Sequence, residues 1–492
     1  MSEPLNILFA TSEAYPFAKH GGLADVSYSL PLAIKEKGHD IRVMVPKYQG
    51  FNERKHRIYE ISRLSQIPIQ IENKKEIASV SSSSLFNPKT KVQTYITTLP
   101  TYFELKRGLY SDPETDKAYK DNAERFIIFN YSLIQTCLLL GWIPDIIHCN
   151  DWTTALIPAL IRTLYPEEFK KTKTVLTIHN FSSSQEFEMK SLENLGLPKE
   201  VLDSIHFNGK ANLLKAGIEY SDSITTVSES YKNEVLENSV PTLGLHSIIS
   251  EKKLQFFGIL NGVDSYVWNP LKDPYLHNNY DKKTIKKKVE NKVDLCSILE
   301  IPYEEKVPII SYIRHFSPEK GIDLLLDSLP EILATGSKVV ILGEGEKKYK
   351  TQLKSIEKKF PNQLVCVFEF NELLAHKIEA GSDIFLNLSL VEPCGLNHLY
   401  SLGYGTVPIA FQTGGIKDTF QEFIQSEGTG SGFLFKKYTK KDFLKALDKA
   451  LKLYKKTEVW STIINNGMTL SFQWNKCAEE YLTLYSNLLN SK

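Results

Sequence analysis

The chain has 492 residues, with 59 Lys and Arg against 58 Asp and Glu, which leaves a formal net charge of +1 at pH 7. At about 150 residues per domain, this length predicts two or three domains with large cores, and the hydrophobic share of 42% excludes disordered, fibrous and membrane-spanning classes. The even charge balance gives no electrostatic reason to expect nucleic acid or an anionic membrane as a partner.

Short apolar runs recur along the chain, each followed by a polar or glycine-rich turn and then a helical pattern. This alternation predicts parallel strands that crossover helices bury on both faces. The runs occupy 7–10, 146–148, 175–178 and 224–227 in the first half, and 309–313, 339–342, 365–368, 384–386 and 407–410 in the second. Two such sets favour two doubly wound α/β domains over one large sheet.

Four other stretches fill in the organisation. The polar residues 54–95 predict a surface hairpin or insertion near the first sheet. A break lies around 268–270, and the lysine-rich residues 282–288 after it are expected to form the solvated face of a helix. From Phe472 to Leu488 the spacing is helical.

The amino terminus and the cysteines indicate the compartment. The first residues lack the basic region and apolar stretch of a signal peptide. Six scattered cysteines form no CxxC pair and no cluster at metal-ligand spacing. We therefore expect reduced thiols, a cytoplasmic location and no bound metal.

Residues directly after the predicted strands are the first candidates for a binding site, because ligands of wound sheets lie beyond the carboxyl ends of the strands. After the first strand, Lys19 precedes Gly21 and Gly22 at the start of a helix. Two glycines allow a close backbone approach, helix-start amides bind phosphate oxygens, and the lysine adds a point charge. A glycine-relaxed turn with a solvated lysine is the structural alternative.

The second half contains a larger group of the same kind. Two turns open helices, and a basic pair follows the strand at 309–313; a departing nucleotide diphosphate would suit this combination. The group comprises Glu392, Cys394, Gly395, Leu396, Thr413, Gly414, Gly415, Arg314 and Lys320. The structural alternatives are a solvated basic pair and a glutamate that only complements a helix dipole.

Asp151 and His179 follow strands of the first half, although an isolated histidine is more often structural than catalytic. The sequence contains no D-x-D triplet and no phosphate-binding G-x-x-x-x-G-K-[ST] loop. Residues 343–345 match half of a dinucleotide-binding fingerprint, but Lys348 stands where its third glycine belongs. The missing D-x-D triplet disfavours a nucleotide-sugar site anchored by a metal, and the incomplete fingerprint disfavours NAD as a cofactor.

Together these segments resemble the bacterial glycogen synthase and plant starch synthase family, which consists of retaining glucosyltransferases that extend α-1,4-glucan. The resemblance runs from about Ile7 to about Tyr485. Its most specific marks are residues 19–26 (K-x-G-G-L-x-D-V), 148–152, 258–264 with 268–270, and 392–396 with 404–406.

The resemblance implies a GT-B fold, in which two Rossmann-like domains face each other across a cleft. It implies domains at 1–265 on the acceptor side and 266–465 on the nucleotide-sugar side, with a carboxy-terminal helix at 466–492 that crosses back to the first domain. The implied substrates are ADP-glucose and an α-1,4-glucan such as glycogen, without a metal or other cofactor. No nucleic acid or membrane partner is implied.

The resemblance also implies roles for individual residues. Arg314, Lys320, Glu392, Asp151 and His179 form the catalytic set. Arg314 and Lys320 would hold the diphosphate, and Glu392 would bind glucose hydroxyls or the ribose side of the donor. Asp151 and His179 would line the glucose and acceptor side. The donor-binding set comprises Lys19, Gly21, Gly22, Asp25, Asn261, Phe370, Cys394, Gly395, Leu396, Thr413, Gly414 and Gly415. Phe370 would stack on the nucleotide base. The backbone amides of Gly395, Leu396, Gly414 and Gly415 would assist in holding the diphosphate. With no clear carboxylate nucleophile, we expect same-face attack with the departing phosphate accepting the proton.

The chain departs from the family pattern at several positions. After His179 and Asn180 it reads Phe-Ser-Ser-Ser-Gln-Glu instead of a tyrosine-glutamine-glycine element, and Leu390 and Phe411 replace expected arginines. The loop between Arg314 and Lys320 is one residue longer than usual. Two alternatives therefore stay open: a catalytically weak glucan-binding or priming paralogue, and a related glycosyltransferase with another donor.

Overall fold

Two separate units make up the chain in the computed structural model, which describes residues 3–71, 74–115, 117–181, 185–192, 195–369 and 371–491. Unit 1 comprises Met1–Gly262 and Trp474–Lys492, and unit 2 comprises Val263–Gln473. Each unit has its own sheet and its own buried apolar core. None of the described helices is long and apolar enough to cross a membrane.

Unit 1 is organised around a ten-stranded sheet whose order is β13-β12-β8-β7-β1-β2-β6-β5-β3, with β4 paired to β5. The seven strands from β13 to β6 are parallel. The strands of unit 1, including a small second sheet of β9 to β11, are β1 Asn6–Ala10, β2 Asp40–Pro46, β3 Tyr59–Glu60, β4 Ile67–Ile71, β5 Lys74–Phe86, β6 Lys91–Thr98, β7 Ile146–Asn150, β8 Lys173–Ile178, β9 Glu186–Phe187, β10 His206–Phe207, β11 Lys210–Asn212, β12 Ser223–Thr226 and β13 Phe256–Gly258. The four apolar runs predicted as strands in this half correspond to β1, β7, β8 and β12, of which β12 ends one residue before its predicted run does.

The polar stretch 54–95 is not a surface insertion. Strands β5 and β6 form an antiparallel hairpin, as predicted, but β6 also pairs in parallel with β2 and so continues the main sheet. Thr94 and Thr97 are fully buried in β6 beside Val92 and Ile96. Serines and threonines give the strand its polar appearance, whereas its backbone is satisfied by neighbours on both sides.

Helices cover the parallel part of this sheet. They are α1 Gly22–Glu36, α2 Asn122–Leu140, α3 Asp151–Thr154, α4 Ile157–Leu164, α5 Lys199–Ile205, α6 Leu213–Tyr220, α7 Glu229–Leu236, α8 His246–Glu251 and, from the end of the chain, α17 Trp474–Asn490. The wound pattern follows from continuous apolar strands, which need cover on both faces.

The carboxy-terminal helix α17 belongs to unit 1. Its buried residues recur at helical spacing, and Tyr485 bonds His148 Nδ1 at 2.6 Å while Thr177 bonds Nε2 of the same ring at 2.6 Å. His148 is therefore a structural residue that ties α17 to β7 and β8. The helical spacing predicted from Phe472 is confirmed from Trp474 onward, whereas residues 466–473, assigned with this helix by the resemblance, group with unit 2.

Unit 2 contains a fully parallel six-stranded sheet with the order β16-β15-β14-β17-β18-β19. Its strands are β14 Ile309–Ile313, β15 Lys338–Leu342, β16 Leu364–Val367, β17 Ile384–Asn387, β18 Val407–Phe411 and β19 Phe433–Phe435. Its helices are α9 Lys288–Ile298, α10 Ile322–Ala334, α11 Lys347–Glu357, α12 Glu372–Gly381, α13 Leu396–Gly403, α14 Ile416–Thr419, α15 Lys440–Tyr454 and α16 Thr457–Thr469. All five predicted strands of this half are confirmed.

The lysine-rich stretch behaves differently from its prediction at one position. Lys288 begins α9 and is 9% exposed, and its ammonium donates to Glu379 O at 3.1 Å, Ala380 O at 2.8 Å and Thr406 Oγ1 at 2.8 Å. Burial lowers the pKa of Lys288 to about 7. The prediction of a solvated face is therefore wrong for this lysine, because two carbonyls and a hydroxyl replace water around it.

Candidate functional site

In both sheets, candidate residues follow the two strands at which the strand order reverses. Others follow further strands: His179 follows β8, Asn261 follows β13 and Thr413 follows β18. In unit 1 the order reverses between β7 and β1, and in unit 2 between β14 and β17. Parallel sheets bind ligands outside the carboxyl ends of such strand pairs. Asp151 follows β7 directly and Arg314 follows β14 directly.

The turn at residues 19–22 leads from β1 into α1. Lys19 is exposed and its ammonium lies 2.7 Å from Asp25 Oδ1, so these two predicted donor residues form an ion pair with each other. Gly22 is the first residue of α1, and a Cβ on Gly21 would meet no atom within 4 Å. Space for the backbone is therefore available at Gly21.

The carboxylate of Glu13 holds this turn by accepting hydrogen bonds from its backbone. Glu13 is 3% exposed, and its Oε2 accepts the backbone amides of His20 at 2.7 Å and Gly21 at 2.9 Å. Its Oε1 accepts the hydroxyl of Tyr110 at 2.7 Å. The Gly21 amide is thus engaged inside the protein, which corrects the expectation that it is offered to a phosphate.

Asp151 and His179 are brought together at the reversal point of unit 1. Asp151 Oδ1 accepts the backbone amide of His179 at 2.7 Å, and His179 Nε2 lies 3.0 Å from Asn150 Oδ1. Burial raises the pKa of Asp151 to about 7, with the charge of Glu13 adding to the effect. Burial lowers the pKa of His179 to about 3, so its ring is neutral at physiological pH.

Asn261, the remaining donor-set residue of unit 1, is 4% exposed. Its side-chain oxygen has no hydrogen-bond partner among the residues described. A buried acceptor left unpaired costs free energy unless a ligand or solvent atom satisfies it.

A dense polar cluster of unit 2 surrounds Glu392, which is 4% exposed. Its Oε2 lies 3.1 Å from Arg314 Nη2 and accepts the Ser389 hydroxyl at 2.8 Å, while its Oε1 lies 3.4 Å from Lys320 Nζ. Burial alone would raise the pKa of Glu392, but Arg314 and Lys320 outweigh it and hold the pKa at about 2. Both cations therefore reach one ionised carboxylate despite the long loop between them.

The two glycine turns of unit 2 pack directly on each other. Gly415 N donates to Glu392 O at 2.9 Å, and a Cβ on Gly415 would lie 2.5 Å from Cys394 O. A Cβ on Gly414 would lie 2.2 Å from Glu392 O, at a φ of +44°. Only glycine allows the two turns to approach this closely. The hydrogen bond to Glu392 O engages the Gly415 amide, contrary to the expectation that this amide assists the diphosphate.

The start of α13 is equally crowded. Gly395 has a φ of +84°, and its Cβ would lie 2.5 Å from the ring of His398. His398 Nε2 lies 2.7 Å from Thr419 Oγ1 of α14. This contact joins α13 to α14, so Leu396, Thr413 and Cys394, the other predicted donor residues here, belong to one packed group; Thr413 and Cys394 are 4% and 5% exposed.

The departures from the family pattern have different surroundings. Phe411 packs against Phe435 and Tyr438 with ring centroids at 5.4 and 5.1 Å, and Leu390 is 43% exposed. Neither position offers a charge. The replaced residues 182–184 and the predicted base-stacking residue Phe370 lie outside the described residues. Within the described ranges, no three His, Cys, Asp or Glu side chains are grouped as metal ligands would be.

Three site residues were missed at the sequence level: Glu13, Tyr110 and Ser389. Glu13 lies three residues after β1 and Ser389 two after β17, so the search after strand ends would have found both if it had been extended along each loop. Tyr110 lies in an irregular segment between β6 and α2, and no local signal connects it to Glu13.

Comparisons with known proteins agree across the chain. Residues 6–251 match the starch synthase catalytic domain, and residues 300–466 match glycosyl transferases group 1. The glycogen synthases of Pelodictyon phaeoclathratiforme and Koribacter versatilis are 36% and 37% identical, in each case over 98% of this chain and of the relative.

Solved structures give the same result. The catalytic domain of starch synthase IV from Arabidopsis thaliana, bound to ADP and acarbose, superimposes with a TM-score of 0.91 at 28% identity, covering 99% of this chain and 100% of that one. Sucrose-phosphate synthase from Thermosynechococcus elongatus, at 16% identity and a TM-score of 0.61 over 99% of both chains, shares the fold. The fold is GT-B, with one Rossmann-like sheet in each unit, and the chain belongs to the glycogen synthase and starch synthase family of glycosyltransferases.

Proposed function

We propose that this protein transfers glucose from ADP-glucose to the non-reducing end of an α-1,4-glucan with retention of configuration. The observation that carries the proposal is the cluster of Arg314, Lys320 and Ser389 around Glu392 at the strand reversal of unit 2. The glycogen synthase relatives support the reaction class, and the ADP bound to the starch synthase neighbour supports a nucleotide-sugar donor.

In this proposal, Arg314 and Lys320 hold the diphosphate. Arg314 has an 8% exposed side chain, and its Nε has no hydrogen-bond partner among the described residues. A buried guanidinium N–H of this kind is a strong donor for a phosphate oxygen. Glu392 fixes both cations before the donor arrives and also accepts a donor hydroxyl.

Departure of the diphosphate is the step that these charges assist. Negative charge grows on the leaving oxygens as the anomeric carbon gains oxocarbenium character, and preorganised cations stabilise that charge. Removing one such interaction typically costs about 3 kcal/mol in the transition state. The acceptor hydroxyl attacks on the same face, and the departing phosphate takes its proton, which retains the configuration.

We assign the residues of unit 1 to the glucose and acceptor side and to the donor phosphates. Lys19 and Gly22 contact the phosphates, whereas Asp151 and His179 bind sugar hydroxyls. A neutral histidine ring and a half-buried carboxyl with a pKa near 7 suit hydrogen bonding to an uncharged sugar. The amides of Gly21 and Gly415 do not bind the diphosphate in this scheme, since both are engaged within the protein.

A donor panel tests the proposal. Purified protein is assayed for extension of glycogen with ADP-glucose and UDP-glucose, and Lys320→Ala is compared with Lys358→Ala, a change at an exposed lysine of α11's carboxyl end. We expect transfer preferentially from ADP-glucose, a roughly 100-fold lower kcat/KM for Lys320→Ala, and no change for the control. Absence of glucan extension with both donors would refute the assignment.

A weak glucan-binding or priming paralogue is the second candidate. It is favoured by Phe411, which packs in an aromatic group where the family pattern calls for an arginine. Tight maltooligosaccharide binding without donor turnover would support it.

A cytoplasmic location stays part of the proposal, in line with six free cysteines.

A further inference from the structure

The carboxylate of Glu13 uses both oxygens within unit 1. Oε2 accepts two consecutive backbone amides, from His20 and Gly21, and Oε1 accepts the Tyr110 hydroxyl. Two consecutive amides at a glycine turn before a helix are a common binding site for an anion. Here the anion is a side chain of the same unit.

The other end of this arrangement is also fixed. The Tyr110 hydroxyl lies 2.7 Å from Ser12 Oγ, and Asn122 Nδ2 donates to the Tyr110 carbonyl at 2.9 Å. Asn122 Oδ1 in turn accepts Nε of Arg125, which is fully buried. Through Tyr110, Glu13 thus connects the turn before α1 to the start of α2. These two segments are distant in the sequence.

We propose that Glu13 is the positioning residue of the donor-binding turn: its carboxylate occupies the amides of His20 and Gly21, so that Lys19 and Gly22 face the donor phosphates while those two amides do not. This inference rests on the proposed function of Lys19 and Gly22. It assigns Glu13 no contact with the reacting atoms, because each carboxylate oxygen is already an acceptor within the unit.

The geometry explains why glutamate suits this position. Aspartate keeps the charge but is one methylene shorter, so its carboxylate would lose the 2.7 Å and 2.9 Å contacts with the turn. Glutamine keeps the length and one acceptor oxygen, but it replaces charge-assisted hydrogen bonds by neutral ones of roughly half the strength. The two variants therefore separate reach from charge.

The test combines donor kinetics, ADP binding and hydrogen exchange on the full chain. Glu13→Gln and Glu13→Asp are compared with Glu124→Gln, which makes the same chemical change at a glutamate that accepts Tyr102 OH at 2.9 Å in the same unit. Calorimetry with ADP measures binding, and exchange in the peptide that contains His20 and Gly21 reports the turn directly.

For Glu13→Gln we expect a KM for ADP-glucose and a Kd for ADP about five- to tenfold higher, with kcat within about twofold, and for Glu13→Asp a larger rise. Amide exchange at the turn should be faster in both variants and unchanged in Glu124→Gln. A merely structural role would lower thermal stability without raising KM for the donor selectively over KM for glycogen.

Three results would overturn the inference. They are unchanged exchange at the turn, a loss of kcat with KM unchanged, and equal ADP affinity in wild type and both Glu13 variants. If the wild type binds ADP but transfers no glucose, the proposed function fails while the ADP and exchange measurements still decide the role of Glu13. If the wild type does not bind ADP, both are refuted.

Discussion

Two carboxylates, Asp151 in unit 1 and Glu392 in unit 2, occupy comparable positions and have opposite electrostatics. Each follows a strand at the point where the order of its sheet reverses. Glu392 lies between Arg314 and Lys320 and has a pKa of about 2, whereas Asp151 is held by backbone amides and has a pKa of about 7.

The difference shows that burial alone does not set the charge of a site carboxylate. Burial disfavours the ionised form in both cases, and only close cations reverse the effect. In unit 1 the predicted donor-binding lysine, Lys19, pairs with Asp25 at the surface, and among the described residues no cation contributes to the pKa shift of Asp151. Unit 2 therefore contains a compensated charge cluster, and unit 1 contains a carboxyl that is costly to ionise.

The largest expected effect is at Glu392. Because Glu392→Ala leaves the buried Arg314 without its carboxylate, we expect the free energy of unfolding to fall by about 3–5 kcal/mol. Urea denaturation measures this, with Glu305→Ala, an exposed glutamate of unit 2, as the control that should change by less than about 0.5 kcal/mol. Equal stability of both variants would show that the cluster is not compensated as described.

The same carboxylate predicts an acid dependence. A folded-state pKa of about 2 lies below the unfolded value, so the stabilisation is present above about pH 4 and is lost as the pH falls towards 2. The stability difference between wild type and Glu392→Gln should therefore shrink by roughly 3 kcal/mol between about pH 5 and pH 2. A difference independent of pH over this range would contradict the charged pairing.

Asp151 should show the opposite sign. Its raised pKa means that folding disfavours the ionised form, so wild-type stability falls as the pH rises from about 4 to 7. Asp151→Asn removes that cost, and asparagine tolerates the φ of +54° at this position. A pKa of about 7 against an ordinary value near 4 corresponds to about 4 kcal/mol above pH 7, and the loss of one acceptor oxygen in asparagine offsets part of it. We therefore expect the variant to be more stable by about 1–2 kcal/mol above pH 7, although less active.

Thermal unfolding at pH 5 and pH 8 measures this difference, and Asp203→Asn, at an exposed aspartate of the same unit, is the control. The control should be neutral at both pH values. If Asp151→Asn is destabilised at pH 8, the carboxylate is stabilised by its amides more than burial disfavours it.

These particulars also show how far the sequence could lead. The nine apolar runs are strands because continuous apolar segments signal burial on both faces, and the residues after them identify the site through the rule for wound sheets. Strand β6 was hidden by its threonines, and Lys288 by its lysine neighbours. Pairing with β2 and β5 satisfies the backbone of β6, and two carbonyls and a hydroxyl distant in the sequence accept from the Lys288 ammonium.

The same limit applies inside the site. Gly21 and Gly415 were correctly recognised as turn residues, but their amides bond Glu13 and Glu392, and only the folded chain shows those contacts. Likewise, the pairing of Glu392 with both Arg314 and Lys320 needs two loops to converge, the one after β14 and the one after β17. Local patterns predict which residues follow strands, but not which of them satisfy each other.

The smallest effect on stability is expected at Lys19. This lysine is exposed in unit 1, unlike the charged residues around Glu392 in unit 2, which are buried or half-buried. Lys19 and Lys37 flank α1 at its two ends, and each forms a surface ion pair, with Asp25 and Glu479 respectively. Because exposed pairs contribute about 0–1 kcal/mol, Lys19→Ala and Lys37→Ala should each lower the free energy of unfolding by less than about 0.5 kcal/mol. Only Lys19→Ala should raise KM for ADP-glucose, by about tenfold, since its ammonium is free to exchange Asp25 for a phosphate. A loss of stability above about 1 kcal/mol, or equal KM values for the two variants, would mean that Lys19 has a structural role and does not bind the donor.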